Sequence, residues 1–168
     1  MVAPVALLLV NLIHIILGTF GLVFLLLVFS SVQELLATQP DLLGTRNLLA
    51  VAVALAALAW ALAIITGPMG APAVQDGALY QVRVVAGLAF VAFALYTAAG
   101  VLAAVAYQAY PNTLLASASG LLLASAVLTL AYGACGVVLG RAPRVVVLPS
   151  DALPGQMPID ALAPYASV

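Results

Sequence analysis

The residues able to do chemistry in this chain are few, and several lie close together. Asn11, His14, Gly18 and Gly21 recur at intervals of three, four and three, a rhythm that sets them on one stripe of an α-helix. His14 is the single histidine. Its imidazole reads in two ways: as a ligand to a chlorophyll magnesium or a haem iron, or as a neutral ring hydrogen-bonded to Asn11 or to a partner helix. A bis-histidine haem needs a second histidine, and a proton relay needs a carboxylate beside the ring; the apolar stretches of the sequence hold neither. Gln33, Glu34 and Asn47 are lesser candidates for touching a pigment. A second stripe, Ser125, Thr129, Gly133, Gly136 and Gly140, again steps by threes and fours and contains a G-x-x-x-G step from Gly136 to Gly140. Such a groove serves either internal packing or a second chain.

Other chemistries lack their parts. The sequence shows no Ser/His/acid set, no Cys-x-x-Cys, no Gly-rich phosphate loop and no His, Cys and carboxylate cluster with metal spacing. Catalysis needs a group that titrates or coordinates, and the carboxylates are confined to loops and tail. The sequence is therefore read as a non-enzyme with no metal site and no cofactor that it requires. Cys135, the one cysteine, cannot form an internal disulfide and is expected to act as a small buried hydrophobe. A formal net charge of −1 leaves no basic footprint for nucleic acid.

The elements that must carry these residues follow from apolar length. From Pro4 to Ser30 there are 27 residues without Asp, Glu, Lys or Arg, roughly 40 Å as a helix against roughly 30 Å of hydrocarbon. Three more such runs follow. Only 5% of residues are charged, where a soluble domain carries roughly 25%. In lipid an unpaired backbone amide costs several kcal/mol, so such runs cross as hydrogen-bonded helices. The reading is an all-α membrane protein: four transmembrane helices in an antiparallel bundle, residues 1–141, with spans at about 4–30, 48–66, 80–107 and 114–139. An extended Pro-rich C-terminal tail occupies 142–168, where five prolines prevent a long helix.

Between the spans, Ser31-Val32-Gln33-Glu34 has capping-box spacing and suggests a separate short interfacial helix over Val32 to Thr38. Gly67-Pro68 is expected to stop span two. Gln108 to Thr113 forms a tight hairpin, so spans three and four are antiparallel neighbours. Tyr80, Tyr107 and Tyr110 bracket span three at depths that suit aromatic rings, and Phe20 and Phe24 are expected to face lipid or pigment. The first helix is expected to serve as a retained signal anchor. Arg83, Arg141 and Arg144 fall on one side and Arg46 on the other, which favours both termini on the cytoplasmic-like side.

The opening Val2-Ala3-Pro4, Leu7 to Leu9, Asn11-Leu12-Ile13 and Ile15-Ile16, with Thr129-Leu130-Ala131-Tyr132 near the end, resembles the plant abscisic-acid-induced plasma-membrane protein family (the AWPM type). The resemblance covers about 16 residues and the span order. It implies a small four-span plasma-membrane protein linked to dehydration or hormone response. The charged residues that family would lead one to expect in the middle loops and last span are absent here.

Three functions remain open. The first is an accessory, structural subunit of a larger membrane complex, held to other membrane subunits by the small-residue faces and the tail. The second is a plasma-membrane pore or carrier for small uncharged solutes, with a wet path along Asn11, His14, Thr97, Ser125 and Thr129. The third is a pigment-binding subunit using His14. The membrane itself stays open between the plasma membrane and an organelle inner membrane such as the thylakoid. Because Gly136 lies in the expected groove, Gly136→Leu is expected to disturb assembly more than Gly70→Leu.

Overall fold

The computed structural model describes residues 2–75 and 79–139. Gly140 and the tail expected over 142–168 lie outside the described residues. Four α-helices are present among the described residues: α1 (Val2–Leu35), α2 (Leu43–Gln75), α3 (Leu79–Ala109) and α4 (Thr113–Leu139), with a single 3-10 turn over Pro40–Leu42. The shortest, α4, has 27 residues, about 40 Å, so all four are long enough to span the hydrocarbon of a bilayer. The protein is an integral membrane protein by the length and apolarity of these helices.

Each helix packs on its neighbours in chain order and α4 closes the ring against α1, while α2 and α4 meet only narrowly across the diagonal. The neighbours run antiparallel. Trp60 of α2 reaches Thr19 of α1, whereas Gly67, farther along α2, lies against Asn11, earlier on α1. On α3 and α4, Ser119 reaches Gly100 while Gly133 faces Ala89.

α2 begins at Leu43, about five residues before the expected start of span two, and two further boundaries differ from the expectation, each for a physical reason. Residues 31–35 continue α1 and do not start a new helix. Ser31 Oγ donates back to the Leu27 carbonyl at 3.0 Å, so it is not a cap, and buried Val32 extends the inward face. The chain turns only at residues 36–39, where the Thr38 and Gln39 amides both bond to Leu35 O.

Gly67-Pro68 does not stop α2, which runs on to Gln75. Pro68 removes the amide that would have bonded the Ile64 carbonyl. On either side of that gap, side-chain donors bond carbonyls of the same stretch of α2. Thr66 Oγ1 donates to Ala63 O at 3.3 Å, and Tyr132 Oη of α4 donates to Thr66 O at 3.3 Å.

The hairpin between α3 and α4 is as short as expected. Asn112 Oδ1 accepts from the Leu114 amide at 2.8 Å, satisfying one of the orphan donors at the start of α4.

The core has two apolar parts. The larger joins Leu25, Val28 and Val32 of α1 to Leu49, Ala52, Ala56 and Ala59 of α2, with Ala99, Ala103 and Ala106 of α3 and Leu115, Ala118 and Leu122 of α4. A smaller cluster of Val85, Ala89 and Tyr132 sits toward the opposite end, with Val10 against it. Polar side chains lie between the two.

Candidate functional site: a polar belt across the bundle

The stripe on α1 turns inward along its whole length: Asn11, His14, Gly18 and Gly21 are all buried. At membrane depth a polar side chain has no water to turn to, so it faces the bundle interior. His14 is 1% exposed. Its ring stands edge-on to Tyr96 of α3, with centroids 5.8 Å apart and planes at 88°, the T-shaped arrangement that aromatic pairs favour.

Three glycines make room for three polar tips. A Cβ on Gly18 would collide with the Tyr96 hydroxyl, one on Gly67 with the Asn11 amide nitrogen, and one on Gly70 with the Tyr132 hydroxyl. Without a side chain at these positions, the Tyr96 and Tyr132 hydroxyls can cross the bundle interior to α1 and α2, and α2 can take the Asn11 amide of its neighbour α1. Gly21 receives Leu122 of α4, whose Cγ would lie 3.1 Å from an added Cβ.

The polar members of the second stripe bond to their own helix. Ser125 Oγ donates to Leu121 O at 2.9 Å, and Thr129 Oγ1 to Ser125 O at 2.7 Å. Both are buried. Thr97, also proposed for a wet path, donates to Phe93 O at 2.8 Å. Gly133 is buried and would place a Cβ 3.3 Å from Ala89 Cβ, whereas Gly136 is half-buried and would make only an ordinary 3.6 Å contact with Ala86. The close-packed glycine is therefore Gly70, against Tyr132, and the expected order of Gly136→Leu and Gly70→Leu reverses.

Among the described residues, four of the five buried side-chain polar atoms without a partner lie in the belt, the fifth being Arg46 Nε near the start of α2. Asn11 Oδ1, both ring nitrogens of His14 and the Tyr96 hydroxyl are buried and make no hydrogen bond. Each such atom costs on the order of 1–3 kcal/mol. They come from α1 and α3 at neighbouring levels, and α2 and α4 complete the surround through Gly67, Thr66 and Tyr132. A neutral imidazole offers one donor and one acceptor, a phenol both, and an amide oxygen accepts. The chemistry of these atoms thus matches small neutral hydrogen-bonding groups. It contains no carboxylate to form an acid–base pair, and the described residues include no group of three His, Cys, Asp or Glu able to hold a metal.

A chlorophyll or haem does not fit this arrangement. Both His14 nitrogens are enclosed by protein, and a macrocycle could reach neither without parting the helices. Gln33, Glu34 and Asn47 are exposed and stand toward the end of the bundle away from His14; Asn47 Oδ1 accepts from Arg46 Nη1 at 3.4 Å.

Sequence reasoning missed Tyr96, Thr66, Gly67, Gly70 and Tyr132 as members of the site. The available signal was a mid-span tyrosine on α3 and another on α4, side chains that each need a place for a hydroxyl. Cys135 also differs from expectation: it is exposed on the outer face of α4, because the inward positions there are taken by Tyr132, Gly133 and Gly136. Compared with protein-family models, curated proteins and solved structures, the chain matches none.

Proposed function

We propose that this chain is a non-enzymatic subunit of a larger membrane protein assembly, working through its outer surfaces. The observation that carries this reading is the contrast between two lipid-facing sides. The outer side of α1 is bulky: Leu8, Leu9, Leu12, Ile13, Ile16, Phe20, Val23, Leu26 and Leu27 are exposed, a surface suited to acyl chains. On α4 the exposed set is mixed: Ala116, Gly120, Ala124, Ala131, Ala134 and Cys135 lie between Leu114, Leu123, Val127, Leu130 and Val138, so small residues interrupt the bulk there as they do not on α1. In lipid, helices associate where small residues let backbones approach. The inward stripes on α1 and α4 are consumed by the bundle itself, so the face open to another subunit is this outer one. The connections described, residues 36–42 and 110–112, are too short to form a soluble domain. The resemblance at Val2 to Ile16 adds the plasma membrane as the compartment.

The test is extraction in mild detergent followed by native electrophoresis and thiol cross-linking through Cys135. Co-migration with other membrane proteins, and cross-links from Cys135 to them, are expected. Gly120→Leu should weaken both without unfolding the bundle, since a Cβ there meets nothing within 4 Å. Migration solely as a lone protomer defeats the reading.

A second reading rests on the unpartnered atoms of Asn11, His14 and Tyr96: a carrier that binds a small uncharged hydrogen-bonding solute in the belt. An open pore is disfavoured, because the described core beyond the belt is closed by Leu25, Val28, Leu49, Leu115 and Leu122, none more than 1% exposed. Vesicles whose permeability to a small polyol is unchanged by the protein would count against the carrier.

A further inference from the structure

Between the start of α3 and the end of α4 the bundle surface opens into a groove of about 420 Å³, lined by Val82, Arg83, Ala86, Gly87 and Phe90 of α3 and by Gly136 and Val137 of α4. We propose that this groove binds one anionic phospholipid, its phosphate on Arg83 and the upper part of an acyl chain lying along Ala86, Gly87 and Gly136 toward Phe90.

The position fits. Arg83 is exposed one turn inside α3, and Tyr80, just before it, is 79% exposed, as befits a ring at the headgroup level. From Arg83 to Phe90 is about 10 Å along the helix axis, so the groove descends from the interface into hydrocarbon.

The charge fits as well. Among the described residues Arg83 is the one charged side chain lining the groove, and the sequence places two more arginines, Arg141 and Arg144, within five residues of the end of α4. Three of the four basic residues thus belong to this end of the chain. It is the end that the positive-inside rule assigns to the cytoplasmic leaflet, where anionic lipids concentrate.

The shape excludes the main rival. A helix is about 10 Å across with its side chains, whereas the helices bounding the groove approach closely nearby: a Cβ added on Gly133 would lie 3.3 Å from Ala89 Cβ, and one on Gly136 3.6 Å from Ala86 Cβ. A slim flexible chain enters such a cleft and a helix does not. Apolar walls at Val82, Ala86, Phe90 and Val137 disfavour a freely hydrated anion.

Two substitutions probe the groove without harming the fold: Arg83 is exposed, and a Cβ on Gly87 meets nothing within 4 Å. The full chain, purified in detergent, is titrated with phosphatidylglycerol and with phosphatidylcholine of the same acyl chains, and lipid retention is counted by native mass spectrometry. Phosphatidylglycerol should be retained over phosphatidylcholine by about fivefold or more, the order of attraction of one basic residue near a membrane surface. Arg83→Gln should abolish that preference. Gly87→Leu, which fills the groove, should reduce retention of both lipids, and Gly120→Leu, on the outer face of α4 away from the groove, should change nothing. Inorganic phosphate at millimolar concentration should not displace the lipid. Equal retention of the two lipids by the unaltered chain overturns the proposal, as does a preference that survives Arg83→Gln, retention untouched by Gly87→Leu, or displacement by phosphate alone.

Discussion

The two ends of the bundle solve the same packing problem with different materials. Toward the turn at Pro40–Leu42, alanines at 52, 56, 59, 99, 103, 106 and 118 meet Leu25, Val28, Leu49, Leu115 and Leu122. That half is dry, and its fit depends on alternating small and large apolar side chains. Toward the other end, glycines at 18, 67 and 70 receive the polar tips of Tyr96, Asn11 and Tyr132, and there the Tyr96 hydroxyl, Asn11 Oδ1 and both His14 ring nitrogens lack partners. Hydrocarbon gives little drive for apolar side chains to leave lipid, so helix association rests on close contact and on hydrogen bonds between helices. The dry half uses the first of these. The polar half gives up some of the second, since an orphaned hydroxyl or ring nitrogen costs free energy that Leu or Ala would not. A belt that is expensive to keep and surrounded by well-matched packing is where a bound solute or a conformational adjustment would have most effect.

The contrast is broken most severely at Gly67. Gly67→Leu would drive a side chain into the Asn11 amide, and overpacking of this kind costs about 3 kcal/mol or more when neighbours cannot move. Unfolding in increasing SDS should show that loss, and Gly70→Leu should follow it through Tyr132. Gly120→Leu and Gly87→Leu serve as controls of the same size change in open positions. If all four glycine variants unfold together, the notches are not what holds the polar half closed. In the dry half, Ala56→Leu should cost about 1–3 kcal/mol in the same assay, because Ala56 is fully enclosed; stability equal to the unaltered chain would mean that half is loosely packed.

How much of this was legible follows from periodicity. Four apolar runs separated by Pro, Gly and Asp give four helices, since lipid leaves the backbone little alternative. The stripe from Asn11 to Gly21 was legible because threes and fours on one helix define a face whatever it packs against. Its partners were not, because which residue of α3 stands opposite Gly18 depends on the register between helices. Periodicity along one chain carries no register. Gly67-Pro68 misled for a related reason: local rules end a helix there, while Tyr132 of α4, 66 residues away in sequence, supplies a donor to the Thr66 carbonyl. Cys135 was misplaced because apolar sequence in a membrane helix marks both the buried and the lipid-facing side.

A smaller effect isolates the hydrogen bonds from the packing. Trp60 Nε1 donates to Thr19 Oγ1 at 2.9 Å, and Thr19 passes the interaction to Ile15 O at 2.7 Å. This joins α1 to α2 between the two halves. Trp60→Phe removes the donor while keeping a ring in place, and should cost about 0.6 kcal/mol and not more than about 1.7, the range measured for bonds between membrane helices. A larger loss in the same SDS titration would mean that the indole contributes chiefly by its bulk.

The smallest expected change has the opposite sign. Tyr96 is fully buried, with its hydroxyl in the Gly18 notch and without a partner. Tyr96→Phe deletes that hydroxyl, keeps the ring edge-on to His14, and leaves a gap of one atom at Gly18. Relief of the unpaired polar group is worth on the order of 1–3 kcal/mol. The gap and the lost contacts with Gly18 take back most of that gain, so stability should rise by about 0.5 kcal/mol or less. The sign carries the information. A rise means the belt in the resting protein is dry and strained, at a cost that a solute or partner would remove. A fall of similar size means the hydroxyl is already hydrogen-bonded within the membrane, and the belt is then a wet, satisfied layer whose difference from the alanine half is one of composition alone.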